Sequence, residues 1–320
     1  MSDPGLRRQK SRAAAISIAS NTALIVLKLG AGLVTGSIAI LTEAVHSAID
    51  LMASVIAFFS VRAAEEPADE RHPYGHAKFE SLSAAIQGLL ILVGAAVIIF
   101  ESARRLSGEP RLTLLGLGIA VVAASIVVNL VVSSFLYRQA RITESPALAG
   151  DAAHLRTDAV TSLGVLIGLL LVQATGIQAL DAVTALVVAA AIVIAGLRLI
   201  GVSSRVLVDE ALPLHELDAV RDALSGHGVP EVSGFHKLRA RRAGSRRYVD
   251  VHVQFRHGTT LERAHELAHA LQRQIGDSLR GADVLIHLEP ETVGERPGAA
   301  DDQRNRLTPA ANATESSTRK

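Results

Sequence analysis

The chain has 320 residues, a formal net charge of +1 and no cysteine. The near-neutral balance gives no electrostatic case for nucleic-acid binding. The missing cysteine excludes disulfides and thiolate ligands, so any metal site must use His, Asp or Glu, and Cu(I), which prefers sulfur, is disfavoured.

The mean hydropathy of +0.33 averages two unlike parts. Residues 13–205 hold long apolar runs, and residues 209–320 are polar and charged. Residues 1–12 are basic (Arg7, Arg8, Lys10, Arg12) and read as a cytoplasmic N-terminal segment. The apolar run after them is span-length and lacks a cleavage site, so no signal peptide is expected. A membrane span needs about 20 mostly apolar residues. Six candidates follow, at roughly 13–34, 38–61, 80–101, 112–137, 148–172 and 178–201. Small residues are frequent inside them, which suits close helix packing in lipid. Lys and Arg in the N-terminus and in the 62–78 and 138–141 loops predict both termini in the cytoplasm, with the Arg-bearing 102–111 loop as an exception to the rule.

The second span carries "TEAVHSAIDLMASVIAFF", from Thr42 to Phe59, with His46 and Asp50 four positions apart. The fifth opens "DAAHLRTDAVTSLG", with His154 and Asp158 at the same spacing. Positions i and i+4 share a helix face. An ionisable group in hydrocarbon costs a few kcal/mol or more, so it faces a cavity or a partner. A lone intramembrane His is often only a helix–helix hydrogen bond. A duplicated His-x-x-x-Asp offers two imidazoles and two carboxylates, enough for a tetrahedral divalent cation whose charge the acids neutralise. Such ligands bind metal only when His is neutral and Asp ionised, so metal and protons compete. Glu43 reads as a relay group or a membrane-edge residue. Asn21, Lys28, Gln87 and Asn129 read as packing or snorkelling residues.

Beyond Asp209 the periodicity changes. "LHELDAVRDAL" (214–224) has helical spacing, and "GFHKLRAR" (234–241) reads as a strand. "YVDVHVQF" (248–255) alternates, with Val249, Val251, Val253 and Phe255 on one face. Thr259 and Glu262 have capping-box spacing ahead of a helix to about 276, and "DVLIHLEP" (283–290) is a last strand. The order α-β-β-α-β predicts a two-layer α+β domain over 209–291 beside an all-α transmembrane domain over 13–208. The Gly/Pro/Ser/Thr-rich stretch 292–320 is expected to be disordered.

In the order "HSAID", "PADERHPYGHAKFESL", "HLRTD", "DEALP" and "VSGFHKLRARRAG…VDVHV…AHELA…VLIHLEP", the chain resembles the cation diffusion facilitator family over about 13–291. The resemblance implies a homodimeric metal/proton antiporter in the cytoplasmic (inner) membrane, with six spans and a metallochaperone-like cytoplasmic domain. It implies a transport site of His46, Asp50, His154 and Asp158, a composition associated with Zn2+ and sometimes Cd2+, Co2+ or Fe2+. It implies a loop site of Asp69, His72 and His76, a segment that on its own also reads as a solvated polar loop. It implies a regulatory cytoplasmic site of His236, His252, His265, His287 and Glu289. Glu289 stands where the family often has Asp, and Lys237 follows His236 where an acidic residue can occur. Lys78 and Asp209 match an ion pair at the dimer interface.

"HELAH" at 265–269 also satisfies the zinc-protease pattern His-Glu-x-x-His. Glu289, the available third ligand, ends a strand rather than standing on a second helix, so Glu266 reads as a surface residue and His269 as a surface or weak accessory one. No GxxxxGK[ST] phosphate loop is present, which argues against ATP-driven pumping. Two other readings are a membrane-anchored metal sensor or storage module, and an intramembrane metal-dependent hydrolase. The hydrolase would need an open coordination position that four protein ligands deny it.

Overall fold

The computed structural model describes residues 4–35, 38–106, 116–177, 179–226, 228–280 and 282–291. The stretch 292–320, expected to be disordered, lies outside them. So do the side chains at 38–46, including those of Glu43 and His46. The chain divides into two units, Met1–Glu210 with Arg242–Arg246, and Ala211–Arg241 with Arg247–Lys320.

Among the described residues the first unit contains six long helices: α1 (Pro4–Thr35), α2 (Ile38–Ala64), α3 (Lys78–Leu106), α4 (Gly116–Thr143), α5 (Pro146–Thr175) and α6 (Ala179–Leu207). Each runs past the C-terminal end of the apolar core predicted for it, as polar residues such as Arg62, Arg141 and Arg205 continue the helix, and the expected start of the fourth span at 112–115 lies outside the described residues. Four stretches among the described residues are long and apolar enough to cross a membrane: Gly5–Ala31, Lys78–Arg104, Ala120–Thr143 and Ala182–Leu207. Burial is inverted relative to a water-soluble bundle. Ala13, Ala14, Ser17, Asn21, Ser54 and Ala57 are buried, whereas Val93, Val97, Phe100, Val187 and Ile194 are exposed. That is the arrangement hydrocarbon requires, with small and polar groups at helix contacts and large apolar groups outside.

Among the described residues α3 and α6 make the most extensive helix pairing. A Cβ on Gly88 would lie 2.7 Å from Ile200 Cγ1, and one on Gly196 would lie 2.9 Å from Leu92 Cδ2. The two glycines let the backbones approach as no larger residue would. Helix ends are closed locally. Glu144 (φ 51°) and Asp209 (φ 60°) adopt left-handed conformations after α4 and α6. The next amides, Ser145 N–H and Glu210 N–H, donate back to Ala140 O (3.0 Å) and Arg205 O (3.0 Å). These six-to-one bonds satisfy the last carbonyls of each helix. Pro146 then opens α5, where its missing N–H costs nothing.

The second unit has the order α7 (Leu214–Ser225), β1 (Val232–Ala243), β2 (Arg246–Phe255), α8 (Leu261–Ser278) and β3 (Asp283–Pro290). Its sheet runs β1-β2-β3. The short connection makes β1–β2 a hairpin, and α8 is the crossover that lets β3 lie parallel to β2, with Val251 opposite Ile286 and His252 opposite His287. Val249, Val251, Val253 and Phe255 face the core with Leu217, Val220, Leu224, Leu267, Leu271 and Ile275 from the helices. The α8 cap differs from the expected one. Thr260, not Thr259, accepts a hydrogen bond from Arg263 N–H, because α8 begins at Leu261, one residue later than the capping-box spacing places it. Arg247 and Glu216 form a buried two-pronged ion pair at 2.7 and 2.9 Å.

Candidate metal centre

Packing of α2 against α5 brings Asp50 to the face of His154 and Asp158. His154 Nε2 lies 3.4 Å from Asp50 Oδ1 and 3.8 Å from Asp158 Oδ2. Asp50 and His154 are buried and Asp158 is nearly so. Both ring nitrogens of His154 are buried without a hydrogen-bond partner among the described residues. Those separations are long for hydrogen bonds. They approach the edge of a tetrahedron with metal–ligand bonds of about 2.0–2.1 Å, which is about 3.3–3.4 Å. The geometry is that of donors arranged around a point rather than bonded to one another. The fourth expected ligand, His46, stands one turn before Asp50 with its side chain outside the described set.

Sequence reading passed over the support beside this group. Asp151, one turn before His154, is fully buried. It accepts a hydrogen bond from Ser54 Oγ at 2.7 Å, Ser54 meets Ser17 Oγ at 2.9 Å, and Asn21 Nδ2 donates to Ser54 Oγ at 2.8 Å. Asn21 also reaches the Asp50 carbonyl at 3.5 Å. This polar knot ties α1, α2 and α5 at the depth of Asp50. The one available signal was a third acid in "GDAAHLRTD" on the His154 side of the helix.

Asp69, His72 and His76 converge in the loop between α2 and α3. Asp69 Oδ1 is 3.2 Å from His72 Nδ1, and Asp69 Oδ2 is 3.4 Å from His76 Nε2. The His72 N–H, and then Arg71 N–H, bond the Asp69 carboxylate and hold it below its ordinary range, so it stays an anionic donor. His76 Nδ1 is buried with no hydrogen-bond partner among the described residues. Gly75, at φ 80°, allows the turn that folds His76 back onto His72. Lys78 and Asp209 form an ion pair at 2.8 Å, aimed by the left-handed backbone of Asp209.

On the sheet, His236 (β1), His252 (β2) and His287 (β3) form a row on the face opposite the core. His236 Nε2 and His252 Nδ1 each lie 2.6 Å from a different oxygen of Glu289, and His287 Nε2 lies 3.7 Å from it. The three clustered donor atoms of His236, His252 and Glu289 suit a divalent cation, which would replace the protons now shared with the carboxylate. The hydrogen bond from His252, backed by His236, keeps Glu289 below the usual glutamate range. His265 does not join this group. It lies on α8, 3.0 Å from His269.

Strict alternation would not deliver His236 to that face. Leu238 and Ala240 point into the core, and His236 shares their parity. Lys237, at φ 50°, breaks the phase. The left-handed residue turns Phe235 toward the core and swings His236 outward to Glu289. Lys237 thus bears on this cluster through its backbone, with its side chain exposed. Lys237→Gly is expected to keep metal binding at the sheet and raise the second unit's stability by roughly 1 kcal/mol, since glycine adopts positive φ freely. Deleting residue 237 restores alternation, drives His236 inward, and should abolish binding at His236 and His252. Calorimetric Zn2+ titration with thermal melts checks both.

Comparison with known proteins follows the same division of the chain. The family model described as the cation efflux transmembrane domain matches residues 14–208. The one described as the cation efflux protein, cytoplasmic domain, matches residues 212–291. The chain is similar to an uncharacterised transporter of Synechocystis sp. (35% identical, covering 87% of this chain and 89% of that one). It is also similar to the cation-efflux pump FieF of Serratia proteamaculans (33% identical, covering 91% and 96%). Among solved structures it is similar to the metal-bound C-terminal domain of the CzcD transporter from Thermotoga maritima, at 25% identity over 26% of this chain and 94% of that one, with a TM-score of 0.24. A helical membrane domain followed by an α-β-β-α-β domain, each matched along its length, makes this chain a member of the cation efflux (cation diffusion facilitator) family, a membrane transporter and not an enzyme.

Proposed function

We propose that the protein exports divalent transition-metal ions, Zn2+ foremost, from the cytoplasm in exchange for protons, with Asp50, His154 and Asp158 as ligands and His46 as the fourth. The observation that carries this reading is a buried imidazole whose two nitrogens lack hydrogen-bond partners among the described residues, set against carboxylates from two helices. Nitrogen and oxygen donors favour borderline ions, so Fe2+, Co2+ and Cd2+ are further candidate substrates. Two carboxylates cancel the charge of a bound 2+ ion, which lets it rest in a low-dielectric site. When the ion leaves, protons restore neutrality, and opening the site alternately to each side then couples the two flows.

The protein acts as a homodimer in a bacterial inner membrane, with both termini in the cytoplasm as the Lys/Arg distribution favours. Zn2+ at the Asp69–His72–His76 loop and at His236, His252, His287 and Glu289 serves regulation. The uncovered histidine row on the sheet suits metal-assisted pairing of two cytoplasmic domains, with His265 supplying a further ligand only if pairing draws it away from His269.

Reconstituted liposomes test the central claim. An acid lumen should drive uptake of Zn2+ and turn alkaline as uptake proceeds. Flux of Zn2+, Fe2+, Co2+, Cd2+ and Mn2+ in one preparation ranks the substrates. Flux indifferent to the pH step would remove proton coupling, and metal binding without flux would leave a sensor or storage module.

A further inference from the structure

We propose that His265 and His269 form a separate divalent-metal site on the exposed face of α8. The two residues are one turn apart, and both are exposed. Their Nε2 atoms lie 3.0 Å from each other, with ring centroids 4.3 Å apart and planes inclined at 76°. For metal–nitrogen bonds of about 2.0–2.1 Å, that spacing corresponds to a nitrogen–metal–nitrogen angle of about 90–100°. The pair is therefore already close to cis chelation, and two helical His at this spacing are a known zinc-holding arrangement.

The orientation of His269 is set by its neighbours. Gln272 Nε2 donates to the Val284 carbonyl on β3 at 2.9 Å, which leaves Gln272 Oε1 facing His269 Nδ1 at 2.8 Å. An amide oxygen only accepts, so Nδ1 carries the proton and Nε2 presents its lone pair toward His265. A partner that fixes the tautomer and ring angle in this way is the usual support of a metal-bound imidazole. In the metal-free protein His265 Nε2–H donates to that lone pair. A metal ion takes the place of this proton, which moves to Nδ1 of His265 in the other tautomer.

With two protein ligands and water in the remaining positions, the site is open and fills after the three-ligand clusters. The near-right angle suits tetragonal Cu2+ or Ni2+ as well as the more tolerant Zn2+. The site stands independently of the transport reading, because its geometry lies wholly on α8 and β3.

The test uses the full-length protein in detergent, in a His236→Ala/His252→Ala background, with Cu2+ as the probe. Electron paramagnetic resonance and equilibrium dialysis at neutral pH should give one more nitrogen-ligated Cu2+ per chain than in the same protein carrying His269→Gln. Gln272→Leu should keep that equivalent but weaken it about tenfold through loss of the Nδ1 partner. Excess Zn2+ should displace the copper. Equal Cu2+ equivalents and spectra with and without His269→Gln, in protein that circular dichroism shows to be folded, would reduce the pair to a hydrogen bond and overturn the proposal. Flux is not the readout, so failure here leaves the transport reading standing, and failed transport leaves this site standing.

Discussion

Asp50→Ala protein in liposomes is expected to carry Zn2+ at least about 100-fold more slowly than wild type, and Asp158→Ala should do the same. Each substitution removes one carboxylate from a buried group whose other members stay in place. A bound 2+ ion then keeps an uncompensated charge in a low-dielectric site. Losing one partner of such a buried arrangement costs about 3–5 kcal/mol, and each 1.4 kcal/mol is about a factor of ten. Both variants should elute as intact protein on size exclusion. Asp158→Asn separates charge from shape. It retains an oxygen donor and should bind metal weakly, with a smaller proton-driven component. Wild-type flux in either alanine variant, at equal protein incorporation, would place the transported ion elsewhere.

Glu80→Ala is expected to be the most destabilising single change in the first unit. Glu80 and Lys10 are both buried, with Lys10 Nζ 2.7 Å from Glu80 Oε1. The other carboxylate oxygen accepts from Ser145 Oγ. Ser145 precedes α5, where its oxygen also faces the Leu148 N–H at 3.4 Å. One side chain therefore links α1, α3 and the start of α5, the helix that carries His154 and Asp158. Removing it leaves the buried Lys10 ammonium without this carboxylate, with the neutral Ser245 Oγ at 3.1 Å still accepting from it, at a cost of about 3–5 kcal/mol. For a unit of this size the thermal midpoint should fall by on the order of 10 °C. The double variant Lys10→Met/Glu80→Leu removes both charges and should recover most of the loss, since an apolar pair of similar volume is often as stable as a buried ion pair. A midpoint within about 1 °C of wild type for Glu80→Ala, measured by fluorescence-detected unfolding in detergent, would show that the pair carries no net stability.

Periodicity made the local structure readable. Long apolar runs predicted the helices of the first unit, and alternation in "YVDVHVQF" predicted β2 with its core face of Val249, Val251, Val253 and Phe255. The i, i+4 spacing of His154 and Asp158 depends only on the pitch of one helix, so residue numbers suffice to put them on one face. Glu80 and Lys10, seventy positions apart, carried no such signal, and in the knot of Asp151, Ser54, Ser17 and Asn21 only Asp151, one turn before His154, did.

What the amino-acid order determined by itself was therefore the set of elements and the chemistry each one carries. Tertiary structure decided which of those groups meet. It set Asp50 against His154 through the packing of α2 on α5, turned His236 to the outer face through a left-handed residue at Lys237, and left His265 beside His269 instead of Glu289. The physical reason is range. Helix pitch and strand alternation are properties of neighbouring residues, whereas the meeting of separate elements depends on which small residues let backbones approach and where one left-handed residue shifts the phase of a strand.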